Sequence, residues 1–301
     1  VGLLYKQMKI GIYGQFYHEN SEVYIQMLFD ALQKKNIDIF IEKNFLTILK
    51  KNEEITKNFS SFRTFTHLDS SFDFFFSIGG DGTILKAVTF VGDLGIPIVG
   101  VNTGRLGFLA TIQKQEMTEN LTSILDGKYT ISERTLLTVE TRDDCGQLET
   151  LNFALNEVAV NRRNTTSMIK VETLIDGNYL TSYWSDGLIV ATPTGSTGYS
   201  LSCGGPLIEP SASNFVLTPI APHNLSARPL VVPDTAIISL KISGREDNFL
   251  LSLDSRVVTL PNETWLNLRK ADFTIKLLQL QDDSFIQTIR KKLLWGEDKR
   301  N

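Results

Sequence analysis

Apolar positions along the chain fall into two textures, and the change comes near Tyr129. Before it, continuous apolar runs of strand length alternate with stretches of helical periodicity. Lys9 to Tyr13 and Ile37 to Ile41 read as strands. Between them Ser21 can cap a helix whose Val23, Met27, Leu28, Ala31 and Leu32 share one face. A polar, helix-like stretch covers Glu42 to Lys57. Phe74, Phe75, Phe76 and Ile78 then form the unbroken run expected of a strand covered on both faces. A helix from Ile84 capped by Thr83, a strand at Ile96 to Val101 and a helix over Met117 to Leu125 complete the series. Strands alternating with helices predict a parallel, doubly wound sheet.

After Tyr129 the segments become short and β-rich: Leu136 to Thr141, Leu151 to Val160, Met168 to Ile175 and Tyr179 to Trp184. Turn signals at Asp143-Asp144-Cys145-Gly146 and Asp176-Gly177-Asn178 separate them. The pattern resumes at Ala236 to Ile242, Phe249 to Leu253, Val257 to Leu260, Trp265 to Leu268 and Phe273 to Leu278, predicting an antiparallel β-sandwich. Ser284 to Trp295 returns to helical spacing, with Phe285, Ile289, Leu293 and Leu294 on one face and Arg290, Lys291 and Lys292 near its end. The expected architecture is therefore α/β plus β. Residues 8–128 form an α/β nucleotide-binding domain, joined by a returning segment 281–301, and residues 129–280 form the inserted sandwich.

Composition narrows the chemistry. A chain of 301 residues, 42% hydrophobic and 21% charged, suits a soluble globular protein with room for two domains. A net charge of −4 offers no broad basic surface for nucleic acid, so phosphate would have to be met by local groups and metal. Cys145 and Cys203 stand far apart and the three histidines do not gather around them, which argues against a disulfide framework or a zinc site and fits a reducing cytoplasm. No stretch approaches the roughly 18 consecutive apolar residues of a membrane span, and the first residues lack a secretion pattern. Val1 to Gln7 precede Met8 and read as an appended remnant or an alternative start.

The candidate chemistry sits where strands end. Gly79, Gly80 and Gly82 surround Asp81 at the carboxyl end of the Phe72 strand, the edge of an open α/β sheet where ligands bind. Alone, this stretch is equally a tight turn closed by an Asx hydrogen bond. Asp186 to Pro206, DGLIVATPTGSTGYSLSCGGP, tips the balance, because its small and hydroxylic residues are donors and close-approach positions suited to a nucleotide. Asn102 to Ala110 adds Arg105 between glycines, and Phe108 as a stacking platform for a base.

Taken together these motifs resemble the NAD kinase family, over nearly the whole chain: GGDGT at Gly79, NTGRLGFL at Asn102, Asn156-Glu157, TPTGSTGYSLSCGGP at Thr192, TPIAPHNLSARPLV at Thr218 and KLLWG at Lys292 to Gly296. The resemblance implies a Rossmann-like first domain, a β-sandwich second domain, an active site between them, and phosphoryl transfer from ATP to the 2′-hydroxyl of the adenosine ribose of NAD. Asp81 would orient that hydroxyl and accept its proton, with glycine-loop amides at Gly82 and Mg²⁺ carried with ATP offsetting phosphate charge. Asn156 and Glu157 would sit on the nucleotide, Glu157 accepting from ribose hydroxyls; without the resemblance the pair reads as a solvated strand end. Asp186 would anchor the nicotinamide half, an aspartate before glycine being otherwise a common turn. Thr197, Gly198, Tyr199, Ser200, Leu201 and Ser202 would cradle adenine and ribose, with Thr194, Phe108, Lys86 and Ala221 lining the site.

Three places in the chain depart from the family pattern. Gly198-Tyr199 replaces a frequent Ala-Tyr, Trp184 stands where a basic residue is common, and Ser255-Arg256 replaces a frequent Gly-Gln. The last makes Arg256 a candidate compensating cation, leaving Lys86, Arg162, Arg163 and Arg256 as alternatives for phosphate. His223 reads as a structural or ligand-lining residue. A homodimer or homotetramer in the cytoplasm is implied, without nucleic acid or membrane partners. The rival readings are a lipid kinase of the diacylglycerol or sphingosine type, and a non-catalytic NAD(P) sensor.

Overall fold

A computed structural model describes residues 7–15, 21–35, 37–55, 58–60, 62–104, 107–141, 151–164, 167–281 and 284–295. The turn expected at Asp143 to Gly146, with Cys145, lies outside the described residues, as do Arg105, Lys57, Gly296 and the first six positions. In chain order the elements are β1 (Met8–Gly14), α1 (Ser21–Gln33), β2 (Ile37–Glu42), α2 (Lys43–Lys51), β3 (Arg63–Phe65), β4 (Phe74–Gly79), α3 (Asp81–Val91), β5 (Ile98–Asn102), β6 (Ile112–Gln113), α4 (Met117–Leu125) and β7 (Tyr129–Thr141). There follow β8 (Phe153–Ala154), β9 (Glu157–Arg162), β10 (Ile169–Ile175), β11 (Asn178–Ser185), β12 (Gly187–Ala191), α5 (Tyr199–Ser202), β13 (Asn214–Ile220), β14 (Leu230–Pro233), β15 (Ile238–Gly244), β16 (Asn248–Leu253), β17 (Arg256–Pro261), β18 (Trp265–Leu280) and α6 (Phe285–Leu293). Two compact units result: Val1–Glu133 with Ile275–Asn301, and Arg134–Thr274. Both boundaries fall inside strands, β7 and β18, rather than in loops.

In the first unit the strand order is β3-β2-β1-β4-β5, followed by the last residues of β18, and every pair is parallel. Every residue of β4 is buried, as its unbroken apolar run requires. The α1 helix buries Ile25, Leu28, Phe29 and Leu32, while Val23 and Met27 face outward. The expected face was thus rotated, because Phe29 turns inward to pack edge-on against Phe59 at 5.5 Å and carries Ile25 with it. The helix after β4 begins at Asp81, not Ile84: Gly80 is its cap, and Thr83 is buried in the first turn with its hydroxyl 3.5 Å from the Gln15 carboxamide oxygen. The helix expected over Glu42 to Lys57 is shorter, Glu42 capping it by accepting from the Phe45 N–H at 2.8 Å. In α6 Ser284 caps the start and Ile289 is buried, but Leu294 already has left-handed backbone and lies off the apolar face.

The second unit is a sandwich. One sheet runs β14-β13-β12-β9-β16-β17, antiparallel throughout. The other holds β11, β10, β15 and the first part of β18, with β7 and β8. Val158, Val160, Leu188, Phe215 and Leu251 from the first sheet share a core with Val171, Leu240, Ile242 and Leu266 from the second. The two strands expected at 265–268 and 273–278 are one, β18. Its charged middle is tolerated because Arg269 meets Glu140 at 3.0 Å and Lys270 meets Asp234 at 2.6 Å. The single strand expected from Leu151 to Val160 is broken at Leu155 and Asn156, whose N–H groups turn to the Asp254 carboxylate instead of a neighbouring strand.

Candidate active site

In the first unit β4 and β5 end side by side, Gly79 opposite Asn102. Gly79 takes a φ of +152°, and a side chain there would collide with Thr83, so only glycine turns the chain from strand to helix at this point. Asp81 then stands in the first turn of α3, where the helix dipole favours an anion. Its two oxygens are held by the loop after β5: Phe108 N–H donates at 2.7 Å and Leu109 N–H at 3.1 Å. A Cβ at Gly107 would strike the same carboxylate, so the loop can close over Asp81 only with glycine at that position. Phe108 is half-buried, and the Lys292 ammonium from α6 lies 4.4 Å from its ring centroid. Gly82 and Lys86 are exposed on α3, with open space beside Gly82.

In the second unit the organising group is Asp254, at the β16–β17 turn with a φ of 52°. Its carboxylate accepts from the N–H groups of Leu155 (2.9 Å), Asn156 (2.8 Å) and Glu157 (3.2 Å). That fixes the bend that presents the Asn156 and Glu157 side chains. The loop after β12 then settles on them: Thr192 N–H donates to the Asn156 carbonyl at 2.9 Å, its hydroxyl donates to the Leu155 carbonyl at 2.6 Å, and Gly195 lies against the Asn156 backbone. Burial, then the Asp254 charge, push the Glu157 carboxyl up to about 8, against a hydrogen bond from the Tyr199 N–H. Glu157 Oε2 and Asn156 Oδ1 are buried without a hydrogen-bond partner, the state of groups that await one.

The loop residues divide by role. Thr197 and Gly198 are half-buried beside this pair, and a Cβ on Gly198 would stand 3.2 Å from Glu157 Oε2 and 3.4 Å from the Asn156 amide nitrogen. Tyr199 is exposed; burial of its phenol, then the charges of Cys203, Asp186 and Glu157, push it up. Ser202 is exposed and Leu201 half-buried. Ser200 turns away: its hydroxyl is buried against Thr218 at 2.8 Å and ties the loop to β13. Asp186 and Ala221 stand at the other end of the β9–β12–β13 ladder, where Arg162 pairs with Asp186 at 2.9 Å and Ala221 holds a φ of 43°. His223 is exposed and donates its backbone N–H to the Trp184 carbonyl at 2.8 Å.

The candidate cations sort differently from expectation. Arg256, expected as a phosphate partner, is committed to the chain: its guanidinium donates to the Leu151 carbonyl at 2.6 Å and to the Phe153 carbonyl, and lies over the Phe153 ring. Arg162 is committed to Asp186. Arg163 and Lys86 are exposed. Two further cations carry no site role in the sequence reading. Lys292 reads as a helix-end charge and the start of KLLWG, since nothing local links it to Phe108. Arg134 lies in a β-rich run, yet it is only 4% exposed and reaches toward Thr194; a lone arginine amid Leu136 and Leu137 was the available signal. Asp254, just before Ser255-Arg256, carries no local mark of its role, because the three N–H groups that it accepts from lie about a hundred residues earlier.

Comparison with known proteins agrees with these two halves. Residues 10–129 match the family model described as the ATP-NAD kinase N-terminal domain, and residues 155–280 match the ATP-NAD kinase C-terminal domain. An NAD kinase of Christiangramia forsetii is 56% identical over 294 residues, covering 98% of this chain and 100% of that protein. Among solved structures, yeast NADH kinase complexed with NADH superposes with a TM-score of 0.84 at 23% identity, covering 97% of this chain and 89% of that one. An NAD kinase of Archaeoglobus fulgidus in complex with ATP gives a TM-score of 0.73 at 24% identity, covering 95% and 99%. These two likenesses speak to fold. With the full-length relative and both domain matches in hand, the chain belongs to the NAD kinase family.

Proposed function

We infer that the chain phosphorylates NAD on the 2′-hydroxyl of its adenosine ribose, with ATP as donor, yielding NADP and ADP. The observation that supports this most directly is the Asp81 carboxylate, pinned at the head of α3 by the Phe108 and Leu109 N–H groups. Each carboxylate oxygen has a second lone pair, so the fixed group can still accept the hydroxyl proton. As the ribose oxygen bonds to the γ-phosphorus the bond from phosphorus to the ADP oxygen breaks, and the proton passes to Asp81. Exposed Gly82 and Lys86 lie on the same helix, open to phosphate, and the Phe108 ring offers a face to a base.

The second unit supplies the dinucleotide contacts in this reading. Asn156 and Glu157 bring unpartnered buried oxygens, Thr194 to Ser202 a turn of donors, and Tyr199 a phenol within electrostatic reach of both Asp186 and Glu157. The first unit is thus a nucleotide-binding α/β domain and the second an NAD-binding sandwich. Among the described residues no three His, Cys, Asp or Glu gather to hold a metal. Lone Asp81 fits a Mg²⁺ that arrives as part of the ATP substrate, held mainly by phosphates and water. Among the described residues no helix is long and apolar enough to cross a membrane. We place the reaction in the cytoplasm, and the assembly as a homodimer or homotetramer. The test is NADP formation by the purified protein given Mg²⁺, ATP and NAD, read through an NADP-specific dehydrogenase, with ATP omitted as control. ATP-dependent NADP is expected; its absence despite tight NAD binding would replace the kinase by a sensor.

A further inference from the structure

Arg134 is a buried cation that the proposed chemistry leaves unused. Its residue is 4% exposed, and burial pushes the guanidinium down to about 10, the distant Glu209 charge opposing. No carboxylate among the described residues lies within ion-pair distance of it. Glu209 is itself engaged, accepting from the Ser211 N–H at 2.8 Å. The Nε has no partner, and the one hydrogen bond made by the side chain is long, 3.5 Å from Nη1 to the Thr194 hydroxyl. Such a group is costly to bury unless something negative completes it.

The direction of that one bond matters. A guanidinium only donates, so the Thr194 oxygen must accept. The single Thr194 hydroxyl proton therefore points elsewhere, and nothing among the described residues receives it. Thr194 opens the 3-10 turn Thr194–Thr197, beside Asn156 and Glu157. A fixed donor backed by an uncompensated charge selects an anionic acceptor over a neutral one.

We propose that Arg134 is a positioning residue for the dinucleotide: acting through the Thr194 hydroxyl, it orients a phosphate oxygen of NAD along the Thr194–Thr197 turn. The inference rests on the reading of that turn as part of the nucleotide site. A buried cation held for a ligand, rather than for the fold, has a distinctive signature: replacing it with an apolar side chain of similar length leaves the fold no less stable, since isolated buried charges are often better removed.

The experiment compares the full-length protein with Arg134→Met, Arg134→Lys, Thr194→Val and the Met/Val double variant. Calorimetric Kd for NAD, KM for NAD and for ATP, kcat and Tm are measured. For Arg134→Met the expected result is an unchanged or raised Tm, Kd and KM for NAD roughly tenfold or more higher, as loss of a charge-assisted bond implies, and an unchanged KM for ATP. Arg134→Lys should recover part of the affinity, and the double variant should bind no worse than Arg134→Met alone. If the methionine variant does not fold, Thr194→Val, which keeps the charge, should still weaken NAD binding. Wild-type Kd in both Arg134→Met and Thr194→Val overturns the proposal, as does a lowered Tm with kcat reduced and KM for NAD unmoved. Failure of the unsubstituted protein to bind NAD removes the nucleotide reading and this inference together, an outcome distinct from either.

Discussion

Replacing Glu157 by Gln should make the second unit more stable in alkali and leave it unchanged in acid. The unfolded carboxyl gives up its proton near 4.5 and the folded one near 8. Between those values the folded state holds the extra proton, so the contribution is complete below pH 4.5 and lost progressively as pH rises to 8. At about 1.4 kcal/mol per pH unit, the rise from 4.5 to about 8 corresponds to about 4–5 kcal/mol of stability forfeited in alkali. Glutamine keeps the acceptor for the Tyr199 N–H and places an uncharged amide where Oε2 lacks a partner. Asp254, also pushed up by burial, is present in both proteins and largely cancels in the difference. Urea unfolding followed by tryptophan fluorescence at steps from pH 5 to 9 reads the effect, Trp184 and Trp265 both lying in that unit. The two proteins should nearly coincide at pH 5 and separate by several kcal/mol at pH 9. A separation below about 1 kcal/mol at pH 9 would refute the burial argument, since the folded carboxyl would then titrate less than about one pH step above the unfolded one.

Asp81→Asn puts an amide N–H₂ against one of the two backbone N–H groups that now donate to Asp81, so it should cost about 1–2 kcal/mol in denaturant unfolding. It should also lower turnover about 10²–10⁴-fold through loss of the proton acceptor; near-normal NADP formation would remove the assigned role. Gly107→Ala leaves Asp81 in place but collides with its carboxylate, and should lower kcat at least about tenfold by moving the base about 1 Å. Turnover within a factor of two of the parent would show that the pinned geometry is dispensable. Asp254→Ala strips the acceptor from three N–H groups and should destabilise the second unit by about 2–4 kcal/mol, with the Kd for NAD rising more than that for ATP. Equal losses for the two nucleotides would contradict the assignment of Asn156 and Glu157 to NAD.

What the sequence made legible follows from how local each feature is. The buried β4 run and the glycines around Asp81 carry their conformation in adjacent residues, and both were readable. The orientation of α1 was not: Val23 and Met27 are as apolar as the residues that won, and the distant Phe59 and Phe62 rings decide that Phe29 turns inward. β13 and β14 were hidden because Pro219, Pro229 and Pro233 punctuate segments that nonetheless pair with β12 and with each other. The site shows the same division. Asn156 and Glu157 stand out as a polar pair, but the carboxylate that bends the chain to display them comes from residue 254. Arg256 invited a ligand role by its charge alone, and the carbonyls that take it up lie about a hundred residues earlier.

The long β18 strand has a bearing on synthesis. About 140 residues, Arg134 to Thr274, are made between the two parts of the first unit. At the usual pace of about 5–20 residues per second, that delay lasts about 7–30 s. Throughout it Ile98 on β5 lacks its neighbour Leu277, and the core lacks Leu278. A parallel edge of buried aliphatic residues is thus incompletely paired on the nascent chain until β18 has been made. The first unit to emerge is the last to close, and Lys292 can reach Phe108 only after the whole second unit has been made.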